Sequence, residues 1–211
     1  MTNFIPIFPL NLVPYPGEEL NLHIFEPRYK QLVQECVADK KMFGIPVVLN
    51  NKMQDMGTLM FITEVAKQYD NGEMDIKTRG VKVFRILEQI TTIPDKLYSG
   101  AIVHYPANAE GHYQALMQPV LSAIRQLHQL LKIEKDFKKP DELLCSYDVA
   151  HHAGFSMEEE YELLQLLQEK QRLEYLKRHI VKILPLVASL ESLKEKIQMN
   201  GHFKNLGGFD I

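Results

Sequence analysis

The chain has 211 residues, with 24 Lys and Arg against 27 Asp and Glu, and a net charge of −3 at neutral pH. Hydrophobic residues make up 45% and charged residues 24%, which excludes a wholly disordered or collagen-like chain. Charge is even along the sequence, 11 basic against 12 acidic up to residue 109 and 13 against 15 beyond, so no basic half supplies the phosphate contacts that nucleic acid demands.

In chain order, Phe4 to Phe8 reads as a first strand ended by Pro9. Pro14-Tyr15-Pro16-Gly17 cannot continue a ladder and predicts a rigid extended loop. Leu20-Asn21-Leu22-His23-Ile24 alternates apolar and polar residues, the mark of a half-buried strand. Pro27 suits the first position of a helix, where its missing N–H costs nothing, and Glu26 faces the positive end of the helix dipole. Tyr29, Leu32, Val33, Cys36 and Val37 share one face of that helix, expected to end near Lys40. Further strands are expected at 44–49, 59–67, 73–78, 81–89 and 98–105, with Asp70-Asn71-Gly72 as a hairpin turn. Together these predict a small, strongly curved barrel or sandwich.

Eight of the eleven prolines precede residue 110, after which leucines recur at helical spacing. The division expected is a β-rich lobe over 1–109, a helical lobe over 110–199 and a flexible, glycine-spaced tail over 200–211. A helix is predicted over 112–134, weakened at Pro119, and a second over 141–152, stopped at Gly154. Ser156 and Glu159 form a capping box that opens a third. From Leu173 the apolar positions run Leu176, Ile180, Ile183, Val187, Leu190, Leu193 and Ile197, a long amphipathic helix interrupted or kinked at Pro185. Such a helix could pack within its lobe or pair with a neighbouring copy.

Catalytic signatures are missing from the sequence. There is no phosphate-binding loop, no esterase elbow and no zinc-protease helix. Cys36 and Cys145 stand far apart, as reduced structural thiols of a cytoplasmic protein would. The amino terminus carries no signal-peptide pattern, and no apolar run approaches the ~20 residues of a membrane helix. His151-His152 is read as helix surface rather than metal site, and Glu158-Glu159-Glu160 as a helix first turn. His23 and Glu26 are not forced into contact by their spacing, and Arg79 and Arg85 read as a solvated sheet face or an ion pair. Tyr15, Pro16, Phe25 and Tyr29 concentrate apolar surface near a rigid loop, which fits either a protein-contact patch or an ordinary core.

Ile5-Pro6-Ile7-Phe8-Pro9-Leu10-Asn11-Leu12-Val13-Pro14-Tyr15-Pro16-Gly17 resembles the opening of the Lon protease amino-terminal domain family. The likeness continues through Leu22 to Tyr29, through Gly57-Thr58 and Ile62-Thr63-Glu64-Val65, and through Thr78-Arg79-Gly80-Val81-Lys82-Val83-Phe84-Arg85-Ile86. Ser146-Tyr147-Asp148-Val149-Ala150 and the leucine-rich helices after it are similar to the family's helical part, so the resemblance spans about residues 4–195. It implies an α+β fold, with a curved, PUA-like β-rich barrel lobe followed by an α-helical bundle. In full-length Lon this domain precedes ATPase and protease modules and helps recognise unfolded or tagged substrates. This chain is expected to end before either module, leaving recognition without catalysis.

The expected function is therefore a non-catalytic polypeptide-binding module for unfolded or exposed apolar segments, or a module for one protein partner. Tyr15, Pro16, Phe25 and Tyr29 are the candidate contacts, with Arg28 and Arg79 as polar anchors. An extended peptide would add main-chain hydrogen bonds at a sheet edge. No cofactor, metal, membrane or nucleic-acid partner is expected. RNA binding, which a PUA-like architecture would suggest, is the alternative that the net charge opposes.

Overall fold

The computed structural model describes residues 3–109, 111 and 113–203. The fold is α+β, an antiparallel sheet followed by helices. The chain divides into two compact units, one of Met1–Gly111 with Gly154–Arg172, the other of His112–Ala153 with Leu173–Ile211.

The first unit is built on a six-stranded sheet. Its strands are β1 (Asn3–Pro6), β2 (Glu19–Ile24), β3 (Phe43–Leu49), β4 (Lys52–Gln68), β5 (Met74–Ile90) and β6 (Gly100–His104). The order is β1, β6, β5, β4, β3, with β2 paired to β5. Residues just after β1 close the sheet into a barrel, because Ile7 and Leu10 bridge in parallel to Gly44 and Val47 of β3. Phe8 N–H donates to the Gly44 carbonyl at 2.8 Å, and Val48 N–H to the Leu10 carbonyl at 2.9 Å. Closure joins the continuation of β1 to β3, so those two do not end as open edges, whereas β2 pairs only with β5. The hairpin between β4 and β5 turns where its local chemistry requires, with Gly72 at φ +77° and the Asn71 side chain accepting from Glu73 N–H at 3.1 Å.

Helix α1 (Pro27–Ala38) starts with Pro27 in its first turn. Tyr29, Leu32, Val33 and Cys36 fall at i, i+3, i+4 and i+7, and all are buried against Phe8, Phe43, Ile45, Met60 and Ile76. Each large apolar side chain so buried contributes roughly 1.5–3 kcal/mol relative to exposure. Val37, expected on this face, is exposed. Four residues after Val33 it lies about 40° further round, past the edge of the buried stripe.

The Thr78-Arg79-Gly80 block is a clasp for the Pro14–Gly17 loop. Gly80 N–H donates to the Glu18 carbonyl at 2.8 Å, and Gly17 N–H donates back to the Gly80 carbonyl at 2.9 Å. A β-carbon at residue 80 would lie 2.1 Å from the Tyr15 carbonyl oxygen, so only glycine fits there. That is why β5 runs unbroken through Gly80 instead of forming the two strands expected.

The segment that returns to this unit carries α4 (Met157–Gln165) and the first turn of α5 (Glu169–Phe203). The capping box opens α4 as read: Glu159 N–H donates to Ser156 Oγ at 3.2 Å, and Ser156 N–H to the Glu159 carboxylate at 2.9 Å. Tyr161 reaches β4, donating to Asp55 Oδ1 at 2.8 Å and accepting from Met56 N–H at 3.3 Å. Arg172 is buried with Glu169 at 2.8 Å, and donates to Asn108 Oδ1 at 2.7 Å and to the Leu166 carbonyl at 2.8 Å. This pair stands in the first turn of α5, and the cost of desolvating both charges offsets much of their attraction.

In the second unit, α2 (Gln114–Leu131) buries Met117, Val120, Leu121, Ile124, Leu127 and His128 and contains Pro119. The helix expected over 141–152 is instead two 3₁₀ turns flanking a four-residue α3 (Ser146–Val149). Leu144 and Cys145, both extended, break this stretch, and Asp148 caps the short α3 by accepting from Cys145 N–H at 2.9 Å. α5 passes through Pro185, where the Ser189 hydroxyl donates to the Pro185 carbonyl at 2.8 Å. It extends to Phe203, into what was expected as tail, and residues 204–211 lie outside the described residues.

Candidate functional site

The first unit carries an open cleft of about 660 Å³. One wall is β1 (Asn3 to Pro6), the opposite wall is the carboxyl end of α1 with the link to β3 (Glu35, Cys36, Asp39, Lys41, Met42), and Leu59, Val81 and Lys82 come from the sheet. Ile93, Lys96, Tyr98 and Tyr105 complete it. Alternation along β1 turns Ile5 into the core and Phe4 outward into the cleft, where it is exposed. Val81 owes its place to a bulge. Leu59 pairs with Lys82 and Met60 with Gly80, leaving Val81 as the extra residue between them. Consecutive strand residues ordinarily face opposite sides; here Val81 and Lys82 both line the cleft and both are exposed. Met42 adds a third exposed apolar side chain. A neighbouring recess of about 150 Å³ shares Cys36 and Lys41 and is lined by Val37, Phe61 and Val65, which are also exposed.

The loop that supplies Ile93, Lys96 and Tyr98 is pinned to α1. Gln31 donates to the Asp95 carbonyl at 3.0 Å and accepts from Leu97 N–H at 2.8 Å. Glu35 takes Lys96 Nζ at 2.8 Å and the Tyr98 hydroxyl. These two donors, Lys96 first, hold the Glu35 carboxyl below the usual carboxylate range. Burial, then the Glu35 carboxylate, pushes the Tyr98 phenol up. On the rim, Lys41 meets Asp39 at 2.8 Å and Lys82 lies 3.6 Å from the Tyr105 ring centroid. The cleft is therefore preformed, apolar at its base and charged at its edge.

The lining residues include no serine, threonine or histidine. The one thiol, Cys36, is pushed up to about 12 by burial and then by the Glu35 carboxylate, so at neutral pH it is not a nucleophile. Among the described residues, no group of three His, Cys, Asp or Glu side chains is placed to hold a metal ion. No described helix is long and apolar enough to cross a membrane.

The six residues singled out in the sequence are not brought together in this cleft. Tyr15 is fully buried, its hydroxyl donating to the Glu160 carbonyl at 3.0 Å. Tyr29 is buried in a stack with Phe8, ring centroids 3.8 Å apart. Both are core residues and present nothing to a ligand; a loop with Pro14 and Pro16 has no ladder of its own and is held by burying the tyrosine between them. Phe25 is exposed, its ring 6.1 Å from that of His23. Arg28 is spent locally, on Glu26 at 2.7 Å and over the Tyr29 ring at 4.6 Å. Pro16 is half-buried, and Arg79 is exposed opposite Glu19 in the β2–β5 ladder. His23 pairs with Asp75 at 2.7 Å rather than with Glu26, and Arg85 with Asp55 at 3.5 Å. Phe4 was readable as outward-facing from strand alternation, whereas Val81 and Met42 depend on a bulge and a crossover that no local pattern announces.

The first unit is thus a barrel closed by an antiparallel sheet, with α1 and α4 packed on it and an open, largely apolar cleft. Residues 5–182 match the model of the family described as the ATP-dependent protease La (LON) substrate-binding domain, and the chain belongs to that family. Among solved structures it is similar to a Lon N-terminal domain protein from Xanthomonas campestris, at 22% identity and a TM-score of 0.63, covering 82% of this chain and 96% of that one. The N-terminal domain of Mycobacterium avium complex Lon protease matches at 14% identity and a TM-score of 0.60, covering 85% and 98%. These two likenesses support the fold.

Proposed function

We propose that this chain is a cytoplasmic, non-catalytic module that holds apolar segments of unfolded polypeptide in the cleft between β1 and the carboxyl end of α1. Family membership supports polypeptide binding. The observation that carries the location is the exposure of Phe4, Met42 and Val81 within one concave surface of about 660 Å³. Apolar side chains gathered in one concavity mark a binding surface, as single ones scattered over a surface do not. An unfolded chain supplies apolar side chains one at a time, and the charged rim of Lys41, Lys82, Lys96, Glu35 and Asp39 tolerates a polar backbone beside them.

The test is fluorescence anisotropy of a labelled, permanently unfolded protein titrated with this chain and competed with its native counterpart. Selective, salt-tolerant binding is expected, weakened about tenfold by Met42→Ser combined with Val81→Asp at unchanged circular dichroism. Binding that these changes leave intact would move the site elsewhere. Affinity that collapses on going from low to moderate salt would instead point to an electrostatic ligand such as RNA.

A further inference from the structure

The distal half of α5 carries an apolar seam that nothing among the described residues covers. Leu186, Leu190, Leu193 and Ile197 are 55–65% exposed. Their steps of four, three and four residues place them on one stripe, the core positions of a coiled coil. Flanking the stripe, at the positions that face a partner helix's edges, stand Lys182, Lys194 and Lys196 without one acidic residue. The acids of this stretch, Glu191 and Glu195, fall on the outer side, and among the described residues Lys194 is the one of the three paired with an acid, Glu191 at 3.4 Å on the same helix.

We infer that this seam docks an amphipathic helix of a partner protein whose own apolar stripe is flanked by aspartate and glutamate. Charge complementarity selects that occupant. A second copy in parallel register would set Lys182 beside Val187 and Ser189 beside Lys194, giving the lysines no opposite charge. The stripe spans about two heptads, short of the three or four that sustain a coiled coil by apolar contact alone, so the flanks decide the partner. An acidic-flanked helix pairs with all three lysines and covers the four apolar residues together. This surface lies on the second unit and is independent of the cleft reading.

The experiment uses the full chain and two synthetic helical peptides with the same Leu/Ile seam, one carrying Glu and the other Lys at every flanking position. By anisotropy the Glu peptide is expected to bind at least about tenfold more tightly, with the gap narrowing in high salt. Lys194→Glu combined with Lys196→Glu should invert the preference, and Leu190→Ser with Leu193→Ser should abolish both interactions at unchanged helix content. Equal binding of the two peptides, or none, overturns the proposal. So does self-association of the chain in sedimentation velocity that the double serine variant removes, because the occupant is then a second copy.

Discussion

Helix α1 and the distal half of α5 carry comparable apolar stripes with opposite fates. In α1, Tyr29, Leu32, Val33 and Cys36 recur at helical spacing and vanish into the barrel's core. In α5, Leu186, Leu190, Leu193 and Ile197 recur as regularly and stand in water. Spacing tells which face of a helix is apolar; only the surrounding elements tell whether it is covered. The contrast separates residues that hold the fold from residues that await something else.

That contrast can be attacked at several points. Leu32→Ala removes a fully buried side chain and should cost about 2–5 kcal/mol in chemical denaturation. A loss under about 1 kcal/mol would mean that the α1 face is not the core it resembles.

Acid should come next in size. Burial, then Lys135, lowers the His152 pKa from 6.5 to about 4. Between those values the unfolded chain binds a proton that the folded chain refuses. The stability tied to the neutral ring is thus whole above pH 6.5, falls as pH drops toward 4 and levels off below. The fall is at most about 3 kcal/mol, since the ring is only half-buried, and His152→Leu should flatten it in a series of thermal midpoints.

Leu190→Ala should be the smallest, within about 0.5 kcal/mol of the parent. A drop as large as that of Leu32→Ala would show that the α5 stripe is covered after all.

Features set by a few adjacent residues were legible in the sequence. The Asp70-Asn71-Gly72 hairpin, Pro27 at the start of α1 and the Ser156–Glu159 box all follow from local backbone chemistry. Features set at a distance were not. Gly80 looks like a strand break, yet it is where the Tyr15 carbonyl presses against β5. Pro185 could interrupt the helix or kink it; α5 is not interrupted and extends well beyond it on both sides, forgoing one hydrogen bond. Tyr15 and Tyr29 sit near a loop and a corner, which left surface and core both open; the partners that bury them, Glu160 and Phe8, lie 145 and 21 residues away. The cleft was least legible, because Phe4, Met42 and Val81 meet only through barrel closure and a bulge.

The first unit's split along the chain has a consequence during synthesis. Its barrel strands are complete by residue 111, yet Tyr161, Glu169 and Arg172, which dock against β4 and residues 108–109, belong to the second instalment. The 61 residues from 112 to 172 emerge at about 5–20 per second, so each nascent barrel waits roughly 3–12 s for its last piece. Through that interval the ribosome displays a half-finished barrel whose Tyr15 hydroxyl still lacks the Glu160 carbonyl. Slowing translation across residues 112–172 should therefore lengthen the protease-sensitive life of the nascent chain, while a speed change after Arg172 should leave the barrel's maturation untouched.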